Sequence, residues 1–150
     1  MRGSARVLGV VVALCVVACS GRSEGNASSS SPAPTAGDTP KVEIAMLNHA
    51  PVLAALKEVD TLLASYGDKI TVIRYDLETS EGEAFAKSRK LTGHVPIAIY
   101  VDGAMEVKLK DRTVKFYSFP QGQGTFMVAS GSWTVEDLRQ AIDQALSRGK

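Results

Sequence analysis

Between positions 42 and 77 the chain sets two short runs of branched and apolar residues, VEIAML and KITVIRYDL, on either side of one helical pattern. Runs of this length and composition read as buried strands. The segment between them repeats apolar residues at Leu53, Leu56, Val59, Leu62 and Leu63, the spacing of one helix face over residues 52–66, and stops at Gly67. Strand, helix and strand in so little chain restrict the fold to the α/β class. With 150 residues there is room for one such domain.

The remaining elements follow from caps and turns. Ser80 with Glu83 three positions on matches the reciprocal capping arrangement, which predicts a second helix from residue 80 to about 91, ending before Gly93. VPIAIYVDG reads as a strand closed by an Asp-Gly turn, with MEVKLK as its hairpin partner. A last helix starts at Thr134, with Asp137 behind it, and continues through Leu138, Ile142 and Leu146. The intervening DRTVKFYSFPQGQGTFMVASG suggests two more strands, about 114–119 and 126–129, around the breaker PQGQG. They form either a β-hairpin insertion near residues 112–128 or an extension of the sheet. Trp133, Phe116, Tyr117, Phe119 and Phe126 are expected to pack as a small satellite core beneath this loop, the alternative being an aromatic recognition patch.

The first nineteen residues are of another kind. Arg2 and Arg6 precede an apolar run over residues 7–17. That run is too short for the roughly 20 residues of a membrane span, and its layout is that of a secretion signal. Its end, VVAC, resembles the lipobox of bacterial lipoproteins. The resemblance implies a signal peptide over residues 1–18, removed so that Cys19 becomes a lipidated N-terminus, and a protein held by acyl chains on the extracytoplasmic side of the bacterial cell envelope. A plain signal peptide with a chance cysteine is the alternative. Residues 19–40 are then the lipidated N-terminus and a disordered tether: the stretch SGRSEGNASSSSPAPTAGDTP has a flexible-linker composition and a reach of roughly 25 Å. Asn26 in NAS matches a glycosylation sequon, to which an exported bacterial chain attaches no meaning.

Cysteine usage limits the chemistry. The only cysteines are Cys15, inside the segment to be removed, and Cys19. The domain over residues 41–150 thus has no thiol, no internal disulfide and no cysteine nucleophile. It carries 14 Lys and Arg against 14 Asp and Glu, without the basic excess that marks a nucleic-acid binder. No Ser-His-acid spacing, phosphate-binding glycine loop or clustered metal motif is found in the sequence, so neither enzymatic activity nor a cofactor is expected.

The order strand, helix, strand, helix, strand, strand, helix, with a Val-Pro step opening the third strand, resembles the thioredoxin fold over about residues 41–145, apart from the inserted region. HVPIAIYVDG is similar to the family segment that begins with a cis-proline beside the active site, and LLASYGDKITVIRYDLE to its second helix-to-strand passage. The resemblance implies a three-layer α/β/α domain with a central mixed sheet. On that pattern NHAPV places His49, Ala50, Pro51 and Val52 at the positions of the family's Cys-x-Pro-Cys, with the proline kept and both cysteines replaced. In the family the helix start stabilises a thiolate; His and Val cannot exchange with a disulfide. Asn48 is expected to cap the helix, and Pro51 suits its first turn.

Glu43 and Arg74 fall where the family often has a buried acid and its cationic partner, which implies a partly buried Glu43–Arg74 ion pair. The alternative leaves Glu43 facing solvent at a sheet edge. The backbone before the family's cis-proline pairs with extended peptides, a use that needs no cysteine. Gly93, His94, Val95 and Pro96 are therefore the expected peptide-binding residues, and the expected role is a redox-inactive binding or scaffolding module for an extended polypeptide or envelope protein. The alternatives are metal binding or delivery by His49 and His94, the only histidines in the chain, and a thiol-disulfide oxidoreductase by family relationship alone.

Overall fold

The computed structural model describes residues 39–124 and 130–149. The signal peptide, Cys19 and most of the tether lie outside the described residues, as do Phe126 and the strand expected over 126–129. Among the described residues no helix is long and apolar enough to cross a membrane.

Strand β1 (Lys41–Met46) is followed by helix α1 (Ala50–Tyr66), a single 3₁₀ turn (Gly67–Lys69) and strand β2 (Thr71–Asp76). Helix α2 (Ser80–Ser88), strands β3 (Ile97–Val101), β4 (Glu106–Lys108) and β5 (Thr113–Lys115), and helix α3 (Val135–Arg148) complete the order. The main sheet is mixed and runs β2-β1-β3, with β1 parallel to β2 and antiparallel to β3. Alternation along the strands divides the core in two. Val42, Ile44, Met46, Ile97, Ile99 and Val101 face α1 and α3. Ala45, Ala98 and Tyr100 face the other way, toward Phe85 of α2. The sheet is thus covered on both sides, and β3, buried at every residue, has the unbroken apolar sequence such a position requires.

On the first side α1 contributes Val52, Ala55, Leu56, Val59 and Leu63, and α3 contributes Leu138, Ala141, Ile142 and Ala145. Tyr66 ties the two helices by donating to Asp143 Oδ1 at 2.8 Å, and burial together with that carboxylate pushes its phenol up to about 12. On the second side α2 approaches the sheet so closely that a methyl group at Gly82 would lie 1.8 Å from the Asp76 carbonyl oxygen. Only glycine fits there.

Four expectations about elements are corrected. Thr79, not Ser80, caps α2: its backbone is extended and its hydroxyl accepts from the Gly82 amide at 3.2 Å. The helix ends at Ser88 rather than near Leu91, because Lys90 takes a left-handed conformation with φ 54°. At the first helix the capping position belongs to His49 instead of Asn48, and no side chain caps the turn.

The fourth correction concerns the hairpin. The Asp102-Gly103 turn is present, closed by reciprocal bonds between Val101 and Ala104. Yet MEVKLK does not return along β3; β4 pairs with β5 in a hairpin over residues 106–115, while the second strand of the hairpin expected near 112–128 lies outside the described residues. The edge of β3 is taken by the chain after β5, with Ile99 donating to Phe116 at 2.9 Å and Ser118 to Ile97 at 2.8 Å. Burial drives both outcomes. Val107 and Val114 fold the hairpin against the core, while Phe116, fully buried, meets Trp133 edge to face at 5.7 Å between centroids. Trp133 donates to the Tyr117 and Ser118 carbonyls at 3.2 Å, as a buried indole must, and Phe119 joins the same core.

Candidate functional site

The carboxyl end of β1 is where separate parts of the chain converge. Leu77 donates to the Met46 carbonyl at 2.9 Å and Leu47 donates to the Pro96 carbonyl at 3.1 Å, so the ends of β1 and β2 and the entry to β3 are bound together. This brings the NHAPV stretch and the 93–96 stretch to one end of the sheet.

Within NHAPV the roles divide by burial. Val52 points into the core, whereas Asn48, His49, Ala50 and Pro51 are exposed. Pro51 occupies the first turn of α1, where its missing N–H leaves nothing unsatisfied. His49 Nε2 lies 3.1 Å from Glu78 Oε1, across from the loop that leads into α2. Both side chains are about half exposed, which makes the pair a weak tie rather than a strong anchor.

Gly93 and His94 are exposed while Val95 and Pro96 are buried. Gly93 sits at φ 77°, a left-handed turn that glycine takes without strain. Among the described residues no hydrogen bond engages the main-chain groups of Thr92, Gly93, His94 or Val95. Beside them opens a cleft of about 420 Å³. Its walls are aliphatic, formed by Leu47, Leu77, Ala86, Leu91 and Val95; Glu83, Lys87 and His94 stand around them.

The two histidines are used differently. His49 faces Glu78 and His94 lines the cleft, which His49 does not reach. Among the described residues no group of three or more His, Cys, Asp or Glu side chains is arranged to hold a metal ion.

The Glu43–Arg74 ion pair is corrected. Glu43 is buried, but it accepts from Arg89 Nη2 at 2.6 Å. Strand register excludes Arg74: that residue is opposite Ile44, whereas Glu43 is opposite Ile73 and Tyr100, and adjacent positions on a strand face opposite sides. Arg74 instead pairs with Asp60 on α1, at the exposed surface. Arg89 lies 5.3 Å from the Phe85 ring centre and 4.8 Å from that of Tyr100, and also donates to the Gly103 carbonyl at 3.3 Å. It fixes the end of α2, one wall of the cleft, to the middle of the sheet. Its signal was present in the sequence as Phe85 and Arg89, four residues apart on one helix face. Nearby, the Tyr100 hydroxyl is buried and has no hydrogen-bond partner among the described residues, and burial raises its pKa.

No protein-family model matches the chain, and comparison with curated proteins and with solved structures finds no match.

Proposed function

We propose that this is a redox-inactive domain of thioredoxin type, lipid-anchored through Cys19 at the bacterial cell envelope, that binds an extended polypeptide along residues 93–96. The observation that carries this reading is the run of main-chain donors and acceptors at residues 92–95, unengaged among the described residues and lying beside the start of α1. An added strand uses such groups for affinity and neighbouring pockets for selectivity. The order β2-β1-β3, with α1 and α3 on one face and α2 on the other, supports the fold assignment. Since the chain has no cysteine after Cys19, thiol exchange has no nucleophile.

The direction of β1 supports the anchor reading too. The tether joins at Lys41, and six residues of strand, about 20 Å, separate that point from the Pro96 contact. The binding face is thereby turned away from the point of attachment. Two or three acyl chains on Cys19 hold such a protein stably where one would not.

Calorimetric titration of the full chain with a permanently unfolded, carboxymethylated polypeptide tests the binding role. Saturable heat is expected, with no turnover in a dithiol reductase assay and no tight site in parallel titrations with zinc or copper. Absence of heat with the polypeptide, or real reductase turnover, overturns the proposal; stoichiometric metal binding that disappears in His49→Ala would make this a metal protein instead.

A further inference from the structure

We propose that the cleft beside residues 93–95 is a side-chain pocket that selects one bulky aliphatic or aromatic residue of the bound polypeptide. The inference rests on the reading of residues 93–96 as a peptide-binding face and adds what that face recognises.

The lining decides the chemistry. The side chains of Leu47, Leu77, Ala86, Leu91 and Val95 make the larger part of the cleft apolar, which rewards an apolar group that leaves water. The charged residues at the rim are Glu83 and Lys87, one helical turn apart, and neither forms an ion pair with any described residue. Their opposite signs give no net attraction for a phosphate or another anion. A neutral apolar side chain fits both the walls and the rim. The volume, about 420 Å³, accommodates a leucine or phenylalanine with part of its main chain.

Position selects an extended segment over a free small molecule. The unengaged main-chain groups of residues 93–95 form one margin of the same cleft. A strand paired there sends alternate side chains to opposite sides, so one residue enters the pocket and its two neighbours turn away. Arg89, held by Glu43, acts as a positioning residue by keeping α2 at the distance that leaves the cleft open.

The test is amide-shift titration of the isotopically labelled full chain with capped hexapeptides Ser-Thr-Val-Xaa-Thr-Ser, where Xaa is Leu, Phe, Ala or Asp. The Leu and Phe peptides are expected to bind about tenfold or more tighter than the Ala peptide, with Asp weakest, and to shift Ala86, Leu91 and residues 93–95 together. Ala86→Trp, which fills the cleft, is expected to erase the preference for Leu over Ala while the Ala peptide still binds. Equal affinity for all four peptides, with shifts confined to residues 93–95, overturns the pocket and leaves the binding face standing. No shift at residues 93–95 with any peptide overturns both. The peptide series on the unchanged chain decides the matter by itself if Ala86→Trp does not fold.

Discussion

Helices α1 and α3 pack on the same face of the sheet, yet their first turns are built in opposite ways. At α3 the Thr134 hydroxyl accepts from the Asp137 amide at 3.1 Å, and Asp137 Oδ2 accepts from both the Thr134 amide and hydroxyl at 2.8 Å. Arg112, arriving from the hairpin, adds a third donor to the same buried carboxylate at 2.6 Å and also donates to the Ser132 carbonyl. At α1 the capping residue is His49, its side chain makes no capping bond, the first turn holds no acid, and the Glu78 carboxylate contacts the imidazole of His49. One start is closed and locks a hairpin to the core. The other has no side-chain cap on its first turn and lies at the same end of the sheet as the unengaged main chain of residues 92–95. The closed start ties elements together and the open start does not, which is the distribution expected if the proposed binding face lies at the end of the sheet where β1 and β2 finish and β3 begins.

The most damaging way to break the contrast is Asp137→Ala. It removes the cap and the hairpin tie together, and an expected loss of about 2–3 kcal/mol combines a capping term with a charge-assisted bond discounted for the half-exposed Arg112. Urea denaturation of the full chain checks it; a loss below about 0.5 kcal/mol would show that the closed start is ornamental.

His49→Asp probes the open start in the reverse direction. An acceptor at the capping position, with a charge favourable to the helix dipole, is expected to add about 0.5–1 kcal/mol. A destabilised variant would mean that the His49–Glu78 contact matters more than the missing cap.

Acid sharpens the contrast least. Glu136, in the first turn of α3, is held down to about 2 by hydrogen bonds from Arg139 and then from Gln140. Its folded pKa lies below the ordinary 4.5, so its contribution is complete above about 4.5 and is lost as pH falls through about 2. Amide signals of the first turn of α3 are expected to move over that window, while those of α1, with no acid in its first turn, have no counterpart.

How much of this was legible depends on the range of the interaction. Local signals carried the β1-α1-β2 unit, the Gly67 stop and the Thr134 capping box, because each rests on neighbours within a turn or on simple periodicity. The cap of α2 was misplaced by one residue because Thr79 and Ser80 offer the same hydroxyl, and the choice is made by Asp76, whose carbonyl accepts from the Thr79 amide and hydroxyl. The hairpin was shifted because β3 had two suitors for its edge, and the bulk of Phe116 and Trp133 decided between them. For Glu43 a partly buried and a solvent-facing placement both stood open, and the structure shows it buried; assigning its partner needs the parity of the β1–β2 register, a non-local quantity that puts Arg74 on the other face and leaves Arg89 to fill the role. The cleft was not foreseen at all: Leu47, Leu77 and Leu91 come from three separate loops that each look like an ordinary element end.

The most direct test of the proposed binding face is hydrogen exchange at the Gly93 and His94 amides of the full chain, alone and saturated with the leucine-bearing hexapeptide. Both residues are exposed and their amides are unengaged among the described residues, so exchange close to that of an unstructured peptide is expected in the free protein, slowed about tenfold or more on binding. Amides already protected in the free chain, or rates unchanged by the peptide, would contradict the account.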